Sequence, residues 1–155
     1  MKAKNTLWFV LIVVTAFYLW RYRRAPELDL SAIQVEDSNR QIHQLDSLLS
    51  DSAVVICYAS WCGPCLKELR SLKANWHLYA NSGIKFYCLS DDPQEKMEVM
   101  RSNMPEAMTF LHISSLKDIG IYTIPATYFC LNQTTVEKQL EAIDWQQENI
   151  KKHFN

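Results

Sequence analysis

Two cysteines separated by two residues form the feature of this chain that can do chemistry. They lie in the pentapeptide Trp61-Cys62-Gly63-Pro64-Cys65. Two thiols at this spacing can open and close a disulfide, but zinc sites use the same spacing. The sequence has no second cysteine pair, and no two of its histidines lie within five residues of each other. The pattern therefore favours a redox dithiol over a metal site.

The residues around the pair predict a strand before it and a helix after it. Residues 53–58 are apolar almost throughout, which indicates a buried strand. After the pair, apolar residues recur every three or four positions, as on one face of a helix over residues 62–80. Unpaired N–H groups and the dipole at a helix start favour a thiolate. The first cysteine is therefore expected where its anion is stabilised.

The first 24 residues differ from the rest of the chain. They hold five basic residues and no acidic one, and residues 7–20 form an uncharged apolar run. The run exits through Trp20-Arg21-Tyr22-Arg23-Arg24, which is typical of a membrane interface and unlike a signal-peptidase site. We therefore predict an uncleaved signal-anchor at 1–24, a linker at 25–29 and one globular domain at 30–155. Basic residues flank the run on both sides, so charge does not fix its orientation.

The composition of the remaining chain limits the kinds of function it can have. Beyond residue 24 there are 11 basic and 17 acidic residues. This balance argues against nucleic-acid binding, which relies on a clustered basic face. We expect no metal ion and no cofactor, because the two thiols themselves carry the electrons. Three further cysteines stand alone in apolar runs and are expected to be buried: Cys57, Cys88 and Cys130.

Polarity patterns predict the remaining elements and their order. Residues 33–36 and 41–45 alternate in polarity around Asp37-Ser38-Asn39, which indicates a hairpin. Further strands are predicted at 84–89, 127–131 and 136–140, and further helices at 94–103, 115–120 and 145–154. Strands that alternate with helices and then end in a hairpin predict an α/β sandwich with a mixed central sheet.

With these motifs the chain resembles the thioredoxin superfamily, and in particular its membrane-anchored TlpA/ResA-like branch. The resemblance covers about residues 30–150 and rests on residues 61–65, Glu68, Ile124-Pro125-Ala126-Thr127 and Ala142-Ile143-Asp144-Trp145. It implies a thioredoxin-like sandwich with an N-terminal β-hairpin extension and an N-terminal transmembrane helix. Two positions depart from the pattern: Ile56 replaces a buried aspartate of thioredoxins, and Arg70 stands where the branch often has a proline.

The resemblance implies a role for each residue of the dithiol motif. Cys62 would be the exposed nucleophile, Cys65 the shielded resolving thiol, and the two would form the redox disulfide. Glu68 would be a partly buried carboxyl that relays the proton of Cys65. The alternative for Glu68 is a solvated glutamate on the helix surface that pairs with a lysine.

The same resemblance implies a substrate groove beside the dithiol. The proline that matches Pro125 is cis in that family and faces the two sulfurs. Tyr58 is expected to pack beside the dithiol. The remaining residues expected at the groove are Trp61, Gly63, Pro64 and Ile124.

The resemblance further implies a membrane-tethered enzyme that reduces extracytoplasmic protein disulfides. Apocytochrome c-like proteins would be one substrate class, and a membrane thiol-transfer protein would donate the electrons. The chain would cross the inner membrane once through residues 7–20, with its catalytic domain on the periplasmic side. The alternatives are a reductant for a peroxidase in antioxidant defence and a metallochaperone that binds copper through Cys62 and Cys65.

Overall fold

A computed structural model describes residues 2–22 and 26–154. Its helices are α1 (Lys2–Tyr22), α2 (Leu45–Leu48), α3 (Gly63–Ala74) and α4 (Gln94–Ser102), with 3-10 turns at Trp76–Leu78 and Ile150–Phe154. Its strands are β1 (Gln34–Glu36), β2 (Ile42–Gln44), β3 (Ser52–Cys57), β4 (Lys85–Ser90), β5 (Thr109–His112), β6 (Ala126–Leu131) and β7 (Thr134–Gln139). These seven strands form one sheet in the order β2-β1-β5-β4-β3-β6-β7.

The sheet is mixed, as the order of elements predicts. Strands β3, β4 and β5 are parallel, whereas β6 pairs antiparallel with β3 and β7 antiparallel with β6. The predicted N-terminal hairpin is confirmed as β1 and β2, and it joins the sheet where Glu36 faces His112. In the centre of the sheet, Cys57 at the end of β3 faces Ala126 at the start of β6. This register brings the loop before β6 to the same edge as the loop that carries the dithiol.

Two apolar clusters hold the layers together, one on each face of the sheet. On one face, α3 and α4 bury Leu69, Leu72 and Met97 against alternate residues of β3, β4 and β6. On the other face, α2 and residues 113–121 cover the intervening residues of the same strands. Because successive strand residues point to opposite faces, both faces of the central strands are buried and their sequences are apolar throughout.

The segment between α4 and β6 differs from the prediction. Strand β5 was not predicted, because a strand of only four residues is too short to show a periodicity. Residues 116–120 form turns, where a helix was predicted over 115–120. The backbone N–H of Leu116 donates to the Asp91 carboxylate at 3.1 Å, and Gly120 has a left-handed φ of 82°. A left-handed residue cannot continue a right-handed helix, so no helix extends through Gly120.

The helix that follows the dithiol is shorter than the predicted 62–80, since α3 ends at Ala74. The Asn75 side-chain amide donates to the Ser71 carbonyl at 2.9 Å and satisfies one acceptor of the last turn. A 3-10 turn then brings the Trp76 ring against Phe86, with centroids 5.3 Å apart. The apolar spacing correctly predicted the face of α3 that is buried. It did not predict the 3-10 turn, because that turn packs Trp76 against Phe86 of β4, a distant part of the chain.

The predicted helix at 145–154 is wrong over its first half, since only the 3-10 turn Ile150–Phe154 forms. The Trp145 ring is fully buried, and its backbone N–H donates to the Ser71 hydroxyl at 3.0 Å. His153 is also turned inward: its ring stacks on Phe129 at a centroid distance of 3.8 Å. Between the two rings the backbone makes a turn at 145–147 and then the 3-10 turn, so both rings are buried without a continuous helix.

His153 is expected to hold the C-terminal segment on the sheet. Its side chain is 0% exposed, and its ring nitrogens lie 2.6 Å from a Glu137 oxygen and 2.9 Å from a Glu148 oxygen. His153→Ala would remove these hydrogen bonds and leave a cavity, so we expect a loss of about 2–4 kcal/mol in the free energy of unfolding. Urea unfolding measures the loss. The exposed His77→Ala should change the midpoint little, and equal midpoints for both variants would contradict the assignment.

Helix α1 carries the predicted apolar run. Every side chain from Trp8 to Leu19 is exposed, so this part of the helix does not pack on the sheet. Among the residues that the structure describes, no helix combines the length and apolar character that crossing a membrane requires. Arg23 and Arg24 of the predicted basic exit lie outside the described residues. The signal-anchor, the linker and their boundaries remain predictions.

Candidate active site

The dithiol lies at the first turn of α3 and is closed as a disulfide. The two sulfur atoms are 2.05 Å apart and the two Cα atoms 5.3 Å apart. Cys62 is the N-cap residue, and its sulfur accepts a hydrogen bond from the Cys65 backbone N–H at 3.2 Å. Pro64 follows in the first turn, where a missing N–H costs no helical hydrogen bond. A thiolate released at Cys62 would therefore meet an N–H donor and the positive end of the helix dipole.

The surface around the disulfide is formed mainly by the residues next to it. Trp61 is 75% exposed, and Gly63 and Pro64 are exposed as well. Cys62 is only 5% exposed and Cys65 is fully buried. The prediction of an exposed nucleophile is therefore wrong for the closed disulfide, because its sulfur turns inward to cap the helix and bond Cys65. The predicted order of exposure is confirmed, since the Cys62 side chain is more exposed than that of Cys65.

The loop before the dithiol is held by a carboxylate for which the sequence predicted no such role. Asp92 is almost fully buried and accepts hydrogen bonds from the backbone N–H and the hydroxyl of Ser60. It also accepts a hydrogen bond from the Ser90 hydroxyl at 3.1 Å. Asp92 thereby ties the end of β4 to the residues that precede Cys62. Its sequence signal, Asp91-Asp92-Pro93, indicates only a turn.

Glu68 is a buried residue of α3, the helix that begins at the dithiol. Its side chain is 0% exposed, and one oxygen accepts a hydrogen bond from the Thr127 hydroxyl at 2.9 Å. Burial raises the pKa of Glu68 to about 7, although the Thr127 hydroxyl, the Ile143 backbone and the Trp145 indole each lower it. Since Glu68 is three residues after Cys65, the two lie on neighbouring positions of the helix surface. The structure contradicts the alternative of a solvated glutamate.

A buried carboxyl with a pKa near neutrality can both accept and return a proton. Its second oxygen has no hydrogen-bond partner among the described residues. The indole N–H of Trp145 is also buried and makes no well-formed hydrogen bond among the described residues. It therefore lowers the pKa of Glu68 only weakly. A carboxyl that is incompletely hydrogen-bonded in an apolar setting favours its neutral form, which explains the direction of the shift. Thr127 and Trp145 belong to motifs found in the sequence, but nothing there indicated that both would meet Glu68.

The loop before β6 lies at the same edge of the sheet as the dithiol. The Ile124–Pro125 peptide bond is cis, as expected, and Pro125 is buried. Ile124 is half-buried and packs against the apolar cluster that contains Cys62 and Cys65. Tyr58 belongs to that cluster too, but it is fully buried with its ring edge-on to Phe110. Tyr58 therefore packs as expected but does not line an open groove.

The three other cysteines are structural. Cys57, Cys88 and Cys130 are reduced and buried in the central strands, as expected. Burial raises the pKa of all three thiols, that of Cys130 to about 11. A thiol that stays protonated at neutral pH is a poor nucleophile. The reactive chemistry therefore resides in Cys62 and Cys65.

Comparison with known proteins gives one family and a consistent fold. The model of the AhpC/TSA family matches residues 23–144. Among solved structures, the thioredoxin domain of a thiol-disulfide oxidoreductase from Bacteroides vulgatus is similar with a TM-score of 0.65 and 16% identity, covering 85% of this chain and 100% of that one. No curated protein matches the sequence significantly.

Two further solved structures show the same fold. A putative thiol:disulfide interchange protein DsbE from Chlorobium tepidum has a TM-score of 0.65 and 13% identity, covering 84% of this chain and 96% of that one. A secreted Mycobacterium tuberculosis disulfide oxidoreductase has a TM-score of 0.62 and 19% identity, covering 78% of this chain and 93% of that one. At these identities the likeness establishes the thioredoxin-like fold.

Proposed function

Because the chain belongs to the AhpC/TSA family and is a thiol–disulfide oxidoreductase of thioredoxin-like fold, we propose that it reduces protein disulfides outside the cytoplasm while tethered to a membrane. One observation carries the proposal: a disulfide at the start of α3 lies next to a buried carboxyl with a pKa of about 7. This arrangement supplies a nucleophile, a resolving thiol and a group that exchanges protons.

The reaction begins when reduced Cys62, as the thiolate, attacks one sulfur of a substrate disulfide. A mixed disulfide forms, and the other substrate sulfur leaves as a thiolate that takes up a proton. Cys65 then transfers its proton to the Glu68 carboxylate and attacks the Cys62 sulfur. The second substrate thiolate leaves and is protonated by Glu68. Two electrons have moved to the substrate, and the Cys62–Cys65 disulfide has formed.

Operation as a reductant is supported by the residues between and behind the cysteines. The dipeptide Gly63-Pro64 matches the one found in reducing thioredoxins. Glu68 can accept the Cys65 proton near neutral pH, the step that commits the mixed disulfide to release. The electrons that return the dithiol to its reduced form would come from a membrane thiol-transfer protein. Apocytochrome c-like proteins are the substrate class that we propose, on the resemblance to the TlpA/ResA-like branch.

The membrane tether is proposed from the N-terminal helix. Its apolar residues from Trp8 to Leu19 are exposed and uncharged, so they cover no part of the globular domain. A lipid bilayer is the environment that would bury them at least cost. On this ground we propose that residues 7–20 lie in the inner membrane. The periplasmic side is proposed for the dithiol on the resemblance to the TlpA/ResA-like branch alone, since basic residues on both sides of the run leave its orientation open.

Trapping of substrates tests the proposed function. Full-length Cys65→Ser, expressed in cells, should retain partner proteins as mixed disulfides that dithiothreitol releases. These partners should be extracytoplasmic thiol proteins, with apocytochromes among them, and the complexes should stay in the membrane fraction. Cys88→Ser, which alters a buried structural thiol, is the matched control and should trap none. Capture of a peroxidase instead would support the alternative role in antioxidant defence, and complexes in the soluble fraction would refute the tether.

A further inference from the structure

A groove runs along the helix that carries the dithiol. It lies between α3 and α4 and has a volume of about 630 Å³, and its lining includes Ser60, two residues before Cys62. Its apolar lining includes Leu66 of α3, Val99 and Met100 of α4, and Met104, which follows α4. Val99 is 64% exposed, although it is a large aliphatic side chain. We call this feature the α3–α4 groove.

The rim of the α3–α4 groove is basic. Arg70 and Lys73 line it from α3, Lys96 lines it from α4, and Glu95 is its one acidic residue. Within residues 26–154, none of the three basic side chains takes part in an ion pair. The rim therefore forms a positive patch on a domain whose acidic residues outnumber its basic ones.

We propose that the α3–α4 groove binds the part of a substrate protein that flanks its disulfide, and that this segment carries apolar and acidic side chains. The inference rests on the proposed function, since it names the substrates of the same dithiol. Apolar side chains of the segment would bury Val99 and the two methionines, whose flexible side chains accommodate different shapes. Carboxylates of the segment would face the unpaired basic rim, which gives the complementarity of charge that selects partners.

The geometry of α3 predicts where these side chains lie in the substrate. Leu66, Arg70 and Lys73 follow Cys62 by four, eight and eleven residues on the same helix. At a rise of about 1.5 Å per residue, they lie roughly 6, 12 and 17 Å from it along the helix axis. An extended substrate chain advances about 3.3 Å per residue. An apolar side chain is therefore expected about two residues from the substrate cysteine, and acidic side chains about four to five residues from it.

Two peptide disulfides of equal length test the proposal. Both carry leucine two residues from the cysteine, and one has aspartates at the fourth and fifth residues where the other has lysines. The reduced full-length protein should react about tenfold faster with the acidic peptide at low ionic strength. The double variant Arg70→Glu with Lys73→Glu should lose or invert this ratio. Because both peptides are tested on the same variant, a change in thiol reactivity alters both rates equally and leaves their ratio unchanged.

A matched control keeps the charge change but moves it off the groove. Lys67 is an exposed residue of α3 and Lys117 is exposed in the loop on the opposite face of the sheet. The variant Lys67→Glu with Lys117→Glu should retain the preference for the acidic peptide. A ratio near one in the wild type, or a ratio that survives in the groove variant, would overturn the proposal.

Two further measurements distinguish peptide binding in the groove from loss of the redox activity and from lipid binding. Failure of the wild-type protein to reduce a small aromatic disulfide would refute the proposed function itself, whatever the peptide ratio. Vesicles of anionic phospholipid test for a lipid in place of a peptide. Vesicle binding that needs Arg70 and Lys73, without any preference between the peptides, would assign the groove to lipid and overturn the proposal.

Discussion

Cys62→Ser is expected to abolish disulfide reduction, leaving only the uncatalysed rate. A serine hydroxyl cannot form a disulfide with the substrate, and Cys65 is fully buried beneath the first turn of α3. Cys65→Ser should behave differently, because Cys62 still attacks but nothing releases the mixed disulfide. We therefore expect one round of reaction that ends in a stable adduct. Insulin reduction measures turnover, and the mass of the intact protein measures the adduct.

Cys88→Ser serves as the control for this pair of variants. It removes a thiol of β4 whose pKa is raised by burial, so turnover should be retained. Equal adduct formation by Cys62→Ser and Cys65→Ser would contradict the assignment of roles. It would mean that the buried sulfur reaches the substrate as readily as the one that caps the helix.

The oxidised protein is expected to lose stability as the pH rises from about 4.5 to about 7, the ordinary and the raised pKa of Glu68. In this range the unfolded chain releases the Glu68 proton while the folded chain retains it, so proton release favours unfolding. The contribution of Glu68 to the free energy of unfolding is fully present at pH values below the lower pKa. It is fully lost at pH values above the higher pKa. The two pKa values correspond to a loss on the order of 3 kcal/mol in the free energy of unfolding.

Glu68→Gln should remove this part of the pH dependence. Glutamine resembles the protonated carboxyl in size and can still accept the Thr127 hydrogen bond. The variant should therefore match the wild type near pH 4.5 and exceed its stability by up to about 3 kcal/mol at pH 8. Urea unfolding of the oxidised proteins at both pH values measures the difference. Glu106→Gln, on the surface, is the control and should follow the wild type.

The same substitution should change the titration of the reduced dithiol. A carboxylate close to Cys62 and Cys65 disfavours a second negative charge, so Glu68→Gln should lower the apparent thiol pKa values. It should also flatten the pH dependence of the reduction rate, because the group that accepts the Cys65 proton is gone. Alkylation rates as a function of pH measure both effects. Superimposable curves for variant and wild type would exclude Glu68 from the proton transfer.

Much of the candidate site was predictable because it is local in sequence. The spacing of Cys62 and Cys65, the proline between them and the apolar repeat that follows together require a helix start at the dithiol. The alternating residues around Asp37-Ser38-Asn39 likewise required a hairpin. Each of these patterns involves residues within one or two turns of each other, so propensity and periodicity suffice to predict the local structure.

The failures of prediction have a common origin in packing between distant segments. Strand β5 exists because β4 and β1 pair with it, and its own four residues carry too little pattern to indicate a strand. The C-terminal segment is irregular at the point where the Trp145 backbone N–H donates to the Ser71 hydroxyl, 74 residues away. Periodicity predicts that a face is apolar, but it does not predict which side chains another element places against it.

The sequence by itself determined which two residues carry the redox chemistry and that they lie at the start of a helix. Only the tertiary structure decided the environment of Glu68, since its hydrogen-bond partner Thr127 is 59 residues away. It also decided that Asp92 holds the loop at Ser60, across 32 residues. A pKa depends on every group that surrounds a side chain and on the water excluded from it. These surroundings are formed by β3, β4, β6 and the C-terminal segment together, so no local pattern contains them.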